Sequence, residues 1–311
     1  MIGQEQRAAV EATLGYYGQL DAACTEVGNI TAEVVLDYAT VFNMYDTASS
    51  ELTKEAIPSI RRTELDATAA FRRAALSMQA QLTDEAGVSS GIDLRTLQLG
   101  TTYDNVSQGL GAVKKALDTT TEKVNGAKEL HQNIGVKLGN ATKRAIESED
   151  VARAATQALA PLGPLGTHPQ GARVAQSANE THAYAARVRG FLNGSEGIKT
   201  RCDEDLQHDE ADNKLQAARR VLGVAVDTLA ELRKLTNENS IEGFARELPE
   251  LTGSLSNVAS SLGALAIGLE SAGVRASREG GHIPRELPAI LQAAVAHKDT
   301  TVQLLHGLLA S

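Results

Sequence analysis

Two long stretches of the chain place an apolar-phase residue at every seventh position, and this spacing constrains the fold more than any other feature. Each stretch carries a second series three or four residues from the first. Such positions form a seam along a helix, and a seam held for about five heptads is typical of coiled-coil-like bundles. The sequence therefore predicts an all-α protein. The series are Val10, Tyr17, Cys24, Thr31, Tyr38 and Tyr45 with Leu20, Val27, Val34 and Val41, then Val106, Val113, Thr120, Ala127, Ile134 and Ala141 with Leu110, Leu117, Val124, His131, Leu138 and Ala145.

Proline, glycine and polar clusters divide the helical pattern into segments. Pro58 is expected to kink or interrupt the first helix, because proline lacks the backbone N–H that a helix interior uses. We predict a single elongated domain over residues 1–311, an antiparallel three-helix bundle with a small head and an additional C-terminal helix. The predicted segments are long helices at about 4–82, 102–160 and 198–273, the last with a polar interruption at 236–240, a head at about 161–200 that contains a shorter helix at 172–192, loops at 83–94 and 274–284, and a final helix at about 285–310.

The composition limits the core and the surface. Aromatic residues make up 3% of the 311 residues and tryptophan is absent, so Ala, Leu, Val and Thr have to fill narrow seams between helices. The net charge of −9 and the lack of a basic stripe disfavour nucleic acid as a partner. We expect no membrane span and no signal peptide within the given sequence, because no window is long and apolar enough.

Two cysteines, Cys24 and Cys202, fit neither a zinc site nor a CxxC redox motif. One interpretation is a pair of buried thiols in a cytosolic protein. The other interpretation is a disulfide between them. In the predicted bundle the first two long helices form an antiparallel hairpin. The helix after Cys24 and the returning helix at 102–160 cover about the same distance at about 1.5 Å per residue. Cys202 would then return beside Cys24, at a seam position where a disulfide can join two helices.

Five Asn-x-Ser/Thr triplets occur, against roughly two expected by chance. They can carry glycans only on a secreted chain, so the excess favours an ectodomain whose signal and membrane anchor lie outside this sequence. In the heptad register Asn29 faces solvent while Cys24 faces the seam. The predicted glycosylation sites are Asn29, Asn105, Asn140, Asn179 and Asn193.

The acidic stretch 203-DEDLQHDEAD-212 is the best metal candidate in the sequence. Four of its side chains share one helix face, and hard cations prefer such oxygen ligands. Cation sites of this kind usually lie on glycine-containing loops, however, and a solvated acidic helix start also suits the helix dipole. We therefore predict no metal site. The four residues are Asp205, His208, Asp209 and Asp212.

His131 occupies a seam position of the second long helix. A buried histidine can act as a pH switch, and it can also be a hydrogen-bonded polar residue that fixes helix register. Both interpretations stay open.

The sequence contains no recognisable catalytic motif. Phosphate loops of the GxxxxGK[ST] type, GxSxG and HExxH are absent, and the other histidines do not pair in spacing with a nucleophile and a carboxylate. We predict that the chain is not an enzyme and needs no cofactor.

The layout resembles the helical-bundle surface proteins of African trypanosomes. These include the haptoglobin–haemoglobin receptor, the glutamate/alanine-rich protein, and the invariant and variant surface glycoproteins. The features that carry the resemblance are long helices with alanine-rich seams, the N-terminal cysteine Cys24, the broken segment 161–200 and the cysteine Cys202 after it. The resemblance covers residues 4 to about 273, and the segment 274–310 has no place in it.

The resemblance implies an ectodomain on the extracellular face of the plasma membrane, with a membrane-distal end formed around the head segment. It implies a host serum protein as ligand, such as haemoglobin, haptoglobin–haemoglobin, a complement component or transferrin. Because interface anchors are rich in aromatic residues, we expect ligand contacts at Tyr16, Tyr184 and Phe191. Ordinary core packing is the alternative role for each of them.

Two other functions stay open. A structural or invariant coat antigen would shield the membrane without a specific ligand. An intracellular coiled-coil scaffold would keep its cysteines reduced, and its Asn-x-Ser/Thr triplets would be coincidental.

Overall fold

A computed structural model describes residues 3–83, 91–161, 169–194, 197–204 and 208–310, and these ranges contain helices and no β-strand. The predicted all-α class is confirmed for them. The helices are α1 (Gln4–Glu51), α2 (Ile57–Thr83), α3 (Gly100–Ala158), α4 (Pro169–Asn193), α5 (Ile198–Glu204), α6 (His208–Asn237) and α7 (Ile241–Ala310), with a π-helical turn at Leu52–Ala56 and a 3-10 turn at Leu94–Leu97.

The chain divides into two compact units, and the division falls within α1, α3 and α7. Each unit therefore takes one segment from each of these three helices and adds shorter helices of its own. Unit 1 comprises Met1–Val41, Lys128–Leu206 and Arg275–Ser311, and unit 2 comprises Phe42–Ala127 and Gln207–Val274.

Unit 1 packs segments of α1, α3, α4 and α7 around one apolar core. Helices α1 and α7 run antiparallel, because Gly28 faces Leu291 whereas Tyr38, farther along α1, faces Gly280. The buried residues of the core come from all four segments, so each contributes one seam. They are Val10, Tyr17, Leu20, Cys24, Ala152, Ala155, Leu159, Val174, Ala178, Ala185, Leu305 and Leu308.

Unit 2 packs α2 and the end of α1 with segments of α3, α6 and α7. The hydroxyl groups of Tyr103 on α3 and Thr236 on α6 form a hydrogen bond of 2.7 Å. Farther along α3, Asp118 forms an ion pair of 2.7 Å with Arg219, which comes earlier on α6. The two helices are therefore antiparallel.

The predicted interruption at Pro58 is confirmed as a π-helical turn that ends two residues before the proline. The N–H group of Ile57 donates to the carbonyl of Leu52, five residues back. A π turn adds one residue to the helical circuit, and it adjusts the helix at the place where proline supplies no N–H. The chain continues as helix α2 through Pro58.

The predicted three-helix arrangement is not what the units contain. In the described residues unit 1 packs segments of α1, α3, α4 and α7, and unit 2 packs α2 and the end of α1 with segments of α3, α6 and α7. The predicted long segment at 198–273 is divided into α5, α6 and the start of α7, and the turn at 238–240 lies in the polar interruption predicted at 236–240. Asn239 takes a left-handed φ of 56° in that turn, and its side-chain carbonyl accepts from the Leu94 N–H at 2.7 Å.

The predicted loop at 274–284 and the separate final helix at 285–310 are also wrong, because α7 is one helix of 70 residues. The residues that suggested a loop serve packing. A Cβ atom on Gly280 would lie 2.7 Å from the Tyr38 Cβ, so glycine lets α7 approach α1 closely. Beside it, the buried Glu279 forms an ion pair of 3.0 Å with Arg201 of α5. These contacts outweigh the low helix propensity of the segment.

Candidate functional site

The predicted disulfide between Cys24 and Cys202 is not present. Cys24 lies in the apolar core of unit 1, and burial raises the pKa of its thiol to about 11. Cys202 places its sulfur 3.4 Å from His131 Nε2, and the His131 ring lies 6.3 Å from the Tyr38 ring. Tyr38 follows Cys24 by fourteen positions on α1, or about 21 Å, whereas disulfides need Cα atoms about 4.4–6.8 Å apart.

The reason for this error is the length of α4. The helix predicted at 172–192 is present as α4, but the predicted small head at 161–200 would leave Cys202 near the level of Cys24. Instead α4 runs for 25 residues, about 37 Å, before Cys202 is reached. The residue therefore lies beside a different turn of α1.

His131 lies in the helix seam, as its heptad position predicts, and only 7% of its surface is exposed. Its ring meets the edge of Tyr38 and its Nε2 meets the Cys202 thiol. A role in pH sensing stays a prediction.

All five asparagines of the Asn-x-Ser/Thr triplets are exposed on helices. This position leaves room for a glycan. It also offers another reason for the excess of triplets, because in three of them the threonine is a buried seam residue two positions after a solvent-facing asparagine. Those threonines are Thr31, Thr142 and Thr181.

Two of the three predicted contact aromatics lie on one stripe of α4. Tyr184 and Phe191 are seven residues apart, which places them on the same helix face, and both are half-buried. Tyr16 lies instead on α1, packed against the apolar core of unit 1.

A fixed cluster surrounds Tyr184, which we call the α4 patch: Glu180, Tyr184, Arg187 and His297. The Tyr184 ring stacks on His297 of α7, with centroids 5.0 Å apart and planes 16° apart. The guanidinium of Arg187 lies 5.2 Å from the Tyr184 ring. On the other side, His297 Nδ1 is 2.9 Å from a Glu180 oxygen. The Tyr184 ring thus contacts both the Arg187 guanidinium and the His297 imidazole.

Charged side chains are also buried in unit 1, and the heptad series did not include them. Glu149 on α3 pairs with Arg153 and with Arg189 of α4, each at 3.0 Å. Lys298 on α7 pairs with Asp21 of α1 at 2.8 Å. The sequence pattern does indicate their burial. Glu149 and Lys298 each lie three or four residues from a buried position on either side, so they occupy the buried face of their helices.

The acidic metal candidate falls mostly outside the described residues. Asp205 lies outside them, the side chains of His208 and Asp209 are not described, and Asp212 lies on α6. Within the described ranges, no group of three or more His, Cys, Asp or Glu side chains is arranged to hold a metal ion.

Comparison with protein-family models, with curated proteins and with solved structures finds no match for this chain. None of the helices in the described residues is both long enough and apolar enough to cross a membrane.

Proposed function

We propose that this protein is the ectodomain of a cell-surface receptor that binds a host serum protein through the α4 patch. The observation that carries the proposal is the preorganised trio of Tyr184, Arg187 and His297, since tyrosine and arginine dominate the energetics of protein interfaces. A side chain already held in place loses less conformational entropy on binding. The helical-bundle character and the exposed asparagines of all five triplets are consistent with a surface glycoprotein.

The kind of ligand comes from the family resemblance alone. It makes haemoglobin, haptoglobin–haemoglobin, a complement component and transferrin the first proteins to test. The chain would act by recognition and not by catalysis.

The test is binding of this panel to the immobilised chain by surface plasmon resonance, with Tyr184→Ala and Arg187→Ala as variants. Either change should weaken binding of the true ligand at least about tenfold, since interface anchors contribute more than about 1.4 kcal/mol. Arg246→Ala is the matched control for Arg187→Ala, because it removes an exposed arginine of unit 2 that pairs with its neighbour Glu247 at 3.1 Å, and it should change binding by less than about twofold. No binding by any panel member, or equal loss in the control, would sink the proposal.

A second candidate, an intracellular helical scaffold, is favoured by one observation. Cys24 and Cys202 are not joined by a disulfide, as expected in a reducing compartment. Peptide mass mapping of protein from its native source separates the two candidates, because glycan on Asn29 requires passage through the secretory pathway.

A further inference from the structure

The outer face of α2 carries a short sequence twice. The motif Arg-Arg-x-x-Leu occurs as 61-RRTEL-65 and again as 72-RRAAL-76. Eleven residues make almost three whole turns of an α-helix, so the second copy lies over the first on the same face. We call this face, made of Arg61, Arg62, Leu65, Arg72, Arg73 and Leu76, the α2 ridge.

The α2 ridge is open to solvent. Leu65 is 70% exposed and Leu76 is 65% exposed, and the four arginines are exposed as well. Elsewhere many arginines form ion pairs, but within the described residues no carboxylate lies at ion-pair distance from these four. Single exposed leucines are ordinary. Here two exposed leucines repeat together with four arginines that form no ion pair in the described residues, although the chain as a whole is acidic.

A groove runs along each side of α2 within unit 2. The groove toward α3 has a volume of about 690 Å³ and includes Arg62, Asp66 and Asn105 in its lining. The groove toward α7 has a volume of about 550 Å³ and includes Phe71 and Pro249. The ridge therefore stands between two recesses that can receive protruding side chains of a partner.

Charge distinguishes between the possible partners. The ridge carries four positive charges, but Glu55 and Asp66 line the groove toward α3 and Glu64 lines the groove toward α7. A uniformly anionic surface, such as a lipid headgroup layer or a nucleic acid, would meet these carboxylates as soon as it settled on the arginines. A protein surface can place acidic groups over the ridge and other groups over the grooves.

We propose that the α2 ridge is a docking surface for an acidic helical face of a partner protein. Carboxylates of the partner pair with the two arginine pairs, and Leu65 and Leu76, about 16 Å apart along the helix, enter apolar recesses between them. A second copy of the chain pairing through the same ridge is disfavoured, because it would bring eight arginines together. This surface belongs to unit 2 and is independent of the α4 patch in unit 1.

The size of the ridge suits a transient interface. From Arg61 to Leu76 the helix is about 24 Å long, which suits the small, transient class of protein interfaces. With two apolar anchors and solvent-exposed ion pairs, we expect affinities of about 10–100 µM for a simple helical probe.

The probe is a synthetic helical peptide of about 22 residues with two Glu-Glu-x-x-Leu units spaced by eleven on an alanine-rich background, an arrangement long enough to be helical. Its control replaces every glutamate with lysine. Binding to the full chain is followed by fluorescence anisotropy, and hydrogen exchange locates the protected helix. The variants are Arg61→Gln/Arg62→Gln, Arg72→Gln/Arg73→Gln and Leu65→Ser/Leu76→Ser.

Matched controls come from elsewhere in unit 2. Arg219→Gln/Arg220→Gln removes the adjacent arginine pair of α6, and Val224→Ser/Ile267→Ser removes two other exposed apolar side chains. Each ridge variant should weaken the acidic peptide about tenfold and the controls less than about twofold. Raising the salt concentration should also weaken binding.

The lysine peptide should not bind, and protection should appear in α2. The proposal is overturned if the acidic peptide shows no binding up to about 1 mM, or binds the ridge variants and wild type equally. It is also overturned if vesicles with about 30% phosphatidylserine bind through the same arginines while the peptide does not, since the ridge would then recognise lipid. Thermal unfolding of each variant confirms that the surface changes leave the fold intact.

Discussion

Unit 1 and unit 2 use the same kind of helical packing but bury different chemistry. Among the described residues, four histidine, glutamate and lysine side chains are buried, and all four lie in unit 1: His131, Glu149, Glu279 and Lys298. In the same ranges, the buried polar residues of unit 2 carry hydroxyl groups only. They are Thr120, Thr236 and Ser254.

The surfaces differ in the opposite sense. Within the part of the chain that the structure describes, nine large apolar side chains are exposed, and six of them belong to unit 2, including Leu65 and Leu76 of the α2 ridge. A buried charge pair contributes little net stability, but it penalises every packing that separates the pair. The buried charge pairs of unit 1 therefore favour one specific internal packing. Unit 2 has an apolar core and exposes apolar and basic side chains on its surface.

The largest effect is expected from breaking a buried pair in unit 1. Arg201→Met leaves the Glu279 carboxylate buried with only Arg278, at 3.4 Å, nearby. We expect the free energy of unfolding to fall by about 3 kcal/mol, and Arg201→Met/Glu279→Leu to recover most of it because no charge is then left buried. Urea denaturation measures both.

The unit 2 counterpart is Arg219→Met, which removes one partner of the exposed pair with Asp118. It should cost less than about 1 kcal/mol, because solvent screens that pair. Equal losses for Arg201→Met and Arg219→Met would remove the distinction between the units.

The next effect is a pH dependence that originates in the core of unit 1. Burial raises the pKa of Cys24 from 9.0 to about 11, so between these pH values the unfolded chain has lost a proton that the folded chain still holds. Stability from this thiol is thus complete below pH 9 and falls as pH rises, by on the order of 3 kcal/mol. The free energy of unfolding, measured by denaturation, should fall less between pH 8 and pH 11 in Cys24→Ala than in the wild type, because the thiol is absent.

Tyr17 has a pKa raised to about 12 by burial and stays in both proteins, so only the difference between the two slopes reports on the cysteine. Identical pH profiles would mean that the Cys24 thiol is not desolvated in the folded protein.

A smaller effect is expected at the helix contact that joins α1 and α7 in unit 1. Gly280→Ala would place a Cβ atom 2.7 Å from the Tyr38 Cβ, and such overpacking should cost about 1–3 kcal/mol. Gly281→Ala is the neighbouring control, because nothing lies within 4 Å of its added Cβ. There the gain in helix propensity should stabilise the protein by about 0.5–1 kcal/mol. Thermal unfolding compares the two, and stabilisation by both would contradict the close approach.

The heptad series predicted the cores well because burial along a seam depends on local spacing. Residues such as Val27, Leu117 and Leu138 are buried in the structure. The predicted end of the first long helical segment at about residue 82 agrees with the end of α2 at Thr83. The candidate site was predicted only in part, since Tyr184 and Phe191 share a face but His297, which stacks on Tyr184, lies more than a hundred residues away.

The sequence by itself determined the helical class, the buried seams, the interruption at Pro58 and the exposed position of Asn29. Each depends on contacts within a few residues or on a fixed helical period. Only the tertiary structure decided that 274–284 continues as helix, because the space that Gly280 leaves is filled by Tyr38 of another helix. It alone decided that Cys202 meets His131 and not Cys24, since which turns lie side by side depends on the lengths of all the intervening helices.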